Sequence, residues 1–201
     1  MNTEFDRHGL FARAVAFSAY AHDNMTRTGT GLPSIMHAME AASIAATITN
    51  DPEVLAAAVL HDVIEDCGVT EAELKLKFGK RIAALVSAAT EEKMSGGTGP
   101  SGGTGPSGST GDWQRRKLYT INGLRAATRD QMIVTLSDKL SNLRAIRKDI
   151  GTYGGKLWQT FNQPNQSMHN WYYTSILQGL EPLNNCEAYA EYSSIMKEIF
   201  G

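Results

Sequence analysis

The stretch Val54-Leu55-Ala56-Ala57-Ala58-Val59-Leu60-His61-Asp62-Val63-Ile64-Glu65-Asp66 decides how this chain is read. Its first seven residues are apolar all round a helical wheel, which marks a helix buried on most sides rather than one lying on a surface. Asp51 supplies a cap and Pro52 suits the first turn, so the spacing predicts a helix from Pro52 to Asp66. At the end of this run stand His61 and Asp62, then Glu65 and Asp66. Burying so many ionisable groups is costly unless they are paired or bind a metal. Glu65 lies four residues after His61, and Asp66 four after Asp62. One side of the predicted helix therefore presents an imidazole and three carboxylates. A helix end emerging into solvent accounts for the last two acids, but not for a His-Asp pair directly after an apolar run.

The same periodicity extends in both directions. Leu10, Ala14, Phe17 and Ala21 mark one face of a first helix, and a second is expected from Ile35 to Ile48. Thr70 followed by Glu73 forms a capping box that opens a short helix stopping at Gly79. Further helices are expected over 80–92, 112–127, 130–147, 152–161, 166–180 and 186–199. The expected architecture is an all-α, multi-helix single domain spanning 1–201. It is interrupted by a flexible loop over 95–111, a window that holds only Gly, Ser, Thr and Pro and repeats the hexad Ser-Gly-Gly-Thr-Gly-Pro. Such a stretch buries nothing, and a flexible coil of that length spans roughly 20–25 Å.

Composition excludes several function classes. With 201 residues, 42% of them hydrophobic, the chain can enclose one sizeable core. A net charge of −2 lacks the basic excess of a dedicated nucleic-acid binder or a polybasic membrane anchor. Two cysteines, Cys67 and Cys186, are too few for a disulfide framework, which points to a reducing compartment. The charged N-terminus carries no apolar run of the signal-peptide kind, and no 18-residue apolar stretch occurs. The expectation is a cytoplasmic protein with no membrane and no nucleic-acid partner.

Three segments in a fixed order carry a resemblance to a known family. They are Met36-His37-Ala38, then His61-Asp62-Val63-Ile64-Glu65-Asp66, then Thr135-Leu136-Ser137-Asp138-Lys139-Leu140-Ser141-Asn142-Leu143-Arg144. Together they resemble the HD-domain metal phosphohydrolases, in particular the hydrolase domain of the RelA/SpoT family and its small stand-alone relatives. The segment from Arg27 to Ile35 resembles that family's basic, glycine- and proline-containing approach to its first metal histidine. The resemblance implies that His37, His61, Asp62 and Asp138 ligate a divalent ion, with manganese as the family's metal. Two imidazoles and two carboxylates alone would also suit iron, cobalt or zinc. It further implies that Glu65 and Asp66 orient or deprotonate an attacking water, and that Arg27 and Asn142 contact the nucleotide. The implied reaction is metal-dependent removal of the 3′-pyrophosphate from guanosine alarmones, (p)ppGpp, giving GDP or GTP. Alternatives are hydrolysis of ppApp, NADPH or a nucleoside monophosphate, or an antitoxin role toward a toxic alarmone synthetase. The implied partners are a small-molecule nucleotide substrate and either a second copy of the chain or such a toxin.

Some positions depart from the family's pattern. Ser34 stands where a tyrosine is usual, Ala38 where a proline is usual, and Ser141 where a late histidine is common. None is an expected ligand, so these departures bear on substrate choice. Other chemistry-bearing residues read as structural. His22-Asp23 ends the first helix without downstream acids, and His169 sits in an aromatic-rich segment. Arg144, Arg147 and Lys148 read as a solvated face. The run Trp113-Gln114-Arg115-Arg116-Lys117 is too short for a nucleic-acid site.

Overall fold

The computed structural model of the protein describes residues 9–27, 31–91 and 110–201. Among these, all regular structure is helical, as the periodicity predicts, and strand-like pairing is confined to an isolated bridge between Thr26 and Pro33. In chain order the helices are α1 (Leu10–Ala21), α2 (Ile35–Ala46), α3 (Pro52–Leu60), α4 (Glu71–Phe78), α5 (Lys80–Ala89), α6 (Thr110–Leu124), α7 (Arg129–Tyr153), α8 (Gln166–Gly179) and α9 (Glu187–Phe200). None of them is long and apolar enough to cross a membrane. The Gly/Ser/Thr/Pro-rich stretch expected over 95–111 lies outside the described residues, except at its end, where α6 begins at Thr110.

Local chemistry sets the helix boundaries. Asp51 Oδ1 accepts from the Glu53 amide at 2.9 Å, and Thr70 Oγ1 accepts from the Glu73 amide at 3.2 Å. Gly79 has φ +95°, which turns the chain directly from α4 into α5. A full capping box opens α7, in which Thr128 Oγ1 accepts from the Gln131 amide while the Gln131 side chain accepts from the Thr128 amide. With 25 residues, α7 is the longest helix described, and it packs against α2, α3, α5 and α9. Behind it, Val54 and Ala56 to Leu60 of α3 are wholly buried. The three successive alanines let α1 and α2 approach α3 closely. Leu136, Leu140 and Leu143 of α7 join the same core as Leu60, Ile82, Ile176 and Tyr192.

Two expectations about helix extent are corrected. The third helix stops at Leu60, not at Asp66, and residues 61–67 form irregular turns. Carbonyls that a continuing helix would offer to Asp62 and Val63 are taken by side chains. Ala58 O meets His61 Nδ1 at 2.8 Å, and Val59 O accepts from Ser18 Oγ of α1 at 2.7 Å. The Val63 amide bonds the Leu60 carbonyl instead, at 3.0 Å. The helix expected over 152–161 is shorter and of the 3-10 kind: α7 continues to Tyr153, Gly154 ends it at φ +57°, and Gly154–Thr160 winds as a 3-10 helix.

Candidate metal centre

Three helices deliver the converging side chains. His37 lies on the first turn of α2, His61 directly follows α3, and Asp138 lies in mid-α7. One ligand-type atom from each falls within 4.8 Å of the other two. The two Nε2 atoms are 3.1 Å apart, and Asp138 Oδ1 lies 3.2 Å from that of His37 and 3.6 Å from that of His61. Asp62 joins them: its Oδ2 is 3.0 Å from His61 Nε2 and 3.5 Å from His37 Nε2. Both imidazoles and Asp138 are buried, whereas Asp62 is 27% exposed and forms the more open side of the cluster.

Neighbouring groups fix the orientation of both His61 and Asp138. A carbonyl only accepts, so the 2.8 Å contact to Ala58 O requires His61 Nδ1 to carry its proton. On α7, Asn142 Nδ2 donates to Asp138 Oδ1 at 2.7 Å, and Lys139 Nζ approaches Asp138 Oδ2 at 2.7 Å. Burial alone would raise the Asp138 carboxyl; Lys139 and the imidazoles outweigh it and hold the group well below the ordinary carboxylate range. For His61, burial opposes the charged form, yet Asp62 and Asp138 raise its pKa well above the usual value. Two carboxylates and two imidazole lone pairs at these separations demand positive charge among them. The set therefore fits a divalent cation, with a proton on His61 as the lesser substitute.

Glu65 and Asp66 do not share one face. The turns after Leu60 leave Glu65 half-buried and Asp66 exposed. Glu65 Oε2 accepts from the Glu91 amide at 3.3 Å, and burial, with the charges of Glu91 and Asp62, pushes its carboxyl up to about 7. Arg27 donates to Asn142 Oδ1 at 2.9 Å, so these two expected contact residues meet one residue away from the cluster. The chain around Arg27 is pinned by its amide bonding Leu32 O at 2.8 Å and by the Ser34 amide bonding Met25 O at 2.9 Å.

Several residues prove to have other surroundings than their types suggest. Arg144, read as part of a solvated face, donates to both carboxylate oxygens of Glu191 at 2.8 and 2.6 Å and to Glu40 at 3.1 Å. Lys117, read as part of a short basic run, pairs with the buried Glu91 and lies 4.8 Å from the Tyr172 ring centroid. Lys139 is a functional neighbour that the motif alone does not mark: the buried Asp138 needs a cation beside it, and Lys139 supplies one at 2.7 Å. His22 and His169 are structural, as their settings suggest. His22 Nδ1 lies 2.8 Å from Ser18 O, and His169 Nε2 lies 2.7 Å from Gln163 O among Trp113, Trp158 and Phe161.

Comparison with known proteins places this geometry. The guanosine-3′,5′-bis(diphosphate) 3′-pyrophosphohydrolase of Vibrio cholerae serotype O1 is 45% identical over 71 residues, 35% of this chain and 10% of that protein. The Aquifex aeolicus protein of the same name is 39% identical over 79 residues, 39% of this chain and 11% of its own length. The matched stretch is thus about a tenth of each of these curated relatives. Among solved structures, lmo0812 from Listeria monocytogenes EGD-e superposes with a TM-score of 0.69 at 27% identity, covering 86% of this chain and 100% of that one. A metazoan ortholog of SpoT, described as hydrolysing ppGpp, reaches 0.72 at 21% identity over 95% of this chain and 96% of its own, a likeness of fold. The family model of the HD domain matches residues 14–163, and the chain belongs to the HD-domain family.

Proposed function

We propose that the protein hydrolyses the 3′-pyrophosphate of guanosine alarmones, converting (p)ppGpp to GDP or GTP and pyrophosphate, within a single HD hydrolase domain. The observation that carries this is the convergence of His37, His61 and Asp138 within 4.8 Å, with Asp62 beside them. The names of the bacterial relatives supply the substrate class. His37, His61, Asp62 and Asp138 would hold the ion, for which we propose Mn2+. When bound, it supplies Lewis acidity toward phosphate oxygens and lowers the pKa of water.

Glu65 is suited to carry the proton in this reaction, because a carboxyl with a pKa of about 7 both takes and returns a proton near neutrality. It accepts the proton of the attacking water as the new oxygen–phosphorus bond forms. The bond from phosphorus to the ribose 3′ oxygen breaks in line, and that oxygen takes up a proton, which Glu65 returns, so none is left over. The family motif assigns Asp66 to orienting the water, although it is more exposed than Glu65. Asn142 bridges Asp138 and Arg27, so the ion-binding carboxylate and the nucleotide-contacting arginine share one amide. Arg27 is the cation for the nucleotide's phosphates or base.

Pyrophosphate release from ppGpp and ppApp in the presence of Mn2+, for wild type and Asp62→Ala, tests the proposal. Metal-dependent release from ppGpp, lost in the variant, supports it. Release from ppApp alone moves the substrate to the adenosine alarmone. Silence on both, with an ion bound, overturns the alarmone reading and directs attention to nucleoside monophosphates.

A further inference from the structure

Resting on the reading of His37 as a metal ligand, we propose that Ser141, Glu40, Arg144 and Glu191 form a positioning relay. It fixes His37 as its Nδ1–H tautomer and so sets the affinity of the centre for a divalent ion. Two helices supply a matched spacing: His37 and Glu40 are three residues apart on α2, and Ser141 and Arg144 are three apart on α7. Residues so spaced lie on one face of a helix, and α2 packs along α7. The four side chains accordingly meet in a chain. His37 Nδ1 is 2.8 Å from Ser141 Oγ, and Ser141 Oγ donates to Glu40 Oε2 at 2.7 Å. Arg144 Nη1 then donates to Glu40 Oε1 at 3.1 Å.

Proton counting gives the relay a direction. A carboxylate only accepts, so the single hydroxyl proton of Ser141 is committed to Glu40. Toward His37 the hydroxyl can then act only as an acceptor, and the imidazole must carry its proton on Nδ1. That leaves the Nε2 lone pair aimed at His61 Nε2 and Asp138 Oδ1. Glu40 is held in place because Arg144 is itself forked onto Glu191 of α9 at 2.8 and 2.6 Å. Ser141 is wholly buried, out of contact with bulk solvent. The relay thus joins the C-terminal helix to the metal centre through four side chains, none of which is an expected ligand. Histidine ligands are tuned in this way by the acceptor on their second nitrogen.

The test measures Mn2+ binding by equilibrium dialysis, with urea midpoints taken on the same samples, for wild type, Ser141→Ala, Glu40→Ala and Glu40→Gln. Ser141→Ala is expected to bind Mn2+ about 10- to 100-fold more weakly, since Nδ1–H loses its acceptor. In Glu40→Ala the hydroxyl is free to donate to His37, and affinity falls about 10-fold. Glu40→Gln keeps an oxygen acceptor for Ser141 and stays within about threefold of wild type. Nitrogen-15 correlation of the histidine rings in the Zn2+-loaded wild type should show His37 protonated on Nδ1. A Ser141→Ala variant with a lowered urea midpoint but unchanged Mn2+ affinity overturns the relay and leaves the serine a purely structural role. A wild type that binds no ion overturns the relay together with the metal reading. Weakened binding in the variants alongside no alarmone hydrolysis supports the relay and overturns only the substrate.

Discussion

Glu65 illustrates how one carboxyl acquires its properties from what surrounds it. Burial disfavours its charge, and Glu91 and Asp62 add like charges, so its pKa rises from 4.5 to about 7. Between these two values the folded protein binds more protons at this position than the unfolded chain. Stability from this group therefore falls as pH rises from about 4.5 to about 7, by at most about 3 kcal/mol. Replacing Glu65 with Gln should remove that decline, leaving the variant relatively more stable at pH 8 than at pH 5 when each is compared with wild type. Urea midpoints at the two pH values measure this, and parallel pH dependence in the two proteins contradicts it. Asp138 has the opposite sign, because Lys139 and the imidazoles overcome its burial and depress its pKa. The surroundings thus shift these two carboxyls in opposite directions, Asp138 down and Glu65 up.

At the scale of elements, the end of α3 matters most. Its apolar run buries the helix, but what terminates it is a pair of side chains that take the Ala58 and Val59 carbonyls. One of them is His61 itself, so the bond that ends the helix also orients the imidazole. The other is Ser18, wholly buried on α1. Ser18→Ala should cost about 1–3 kcal/mol, because the buried Val59 carbonyl loses its partner; urea denaturation reads this directly. A variant within a few tenths of wild type would show that the carbonyl finds another donor. The start of α3 was legible from Asp51 and Pro52, whereas its end was not, since Ser18 lies 41 residues away in sequence. The same reason hid the surroundings of Arg144. A basic residue among other basic residues on a helix reads as solvated, and only the placement of α2 and α9 on either side of α7 brings Glu40 and Glu191 to it. The His61-Asp62 pair stood out because ionisable groups directly after an apolar run need a partner, whereas His37 and Asp138 were legible only through the ordered motifs that resemble the family. Helix existence followed from apolar period, and helix length failed where side chains competed for backbone carbonyls, at Leu60, or where glycine adopted a positive φ, at Gly154.

For the molecule as a whole, stability and the metal centre share one framework. Arg81 of α5 binds Asp51 at the start of α3, Glu53 on its first turn and Asp130 on the first turn of α7, tying three helix ends together at the surface. Of these helices, α3 leads directly into His61 and α7 carries Asp138 in its middle. His37 and the α7 serine beside the cluster are separated by 104 residues, so no short segment of the chain can assemble the site by itself. Loops of that size close late and slowly. A bound ion should then act almost wholly on the rate at which the native state is lost. At 100 times its Kd, an ion contributes about 2.7 kcal/mol, which should appear as about 100-fold slower unfolding, with refolding changed by less than about twofold. Stopped-flow folding and unfolding with and without Mn2+ measures both limbs. Acceleration of refolding instead would mean that α2, α3 and α7 meet before the rest of the core has formed. On the late-closing view the ion behaves as a latch on a finished structure, and in a cell poor in the metal the protein would still fold but would persist for a shorter time.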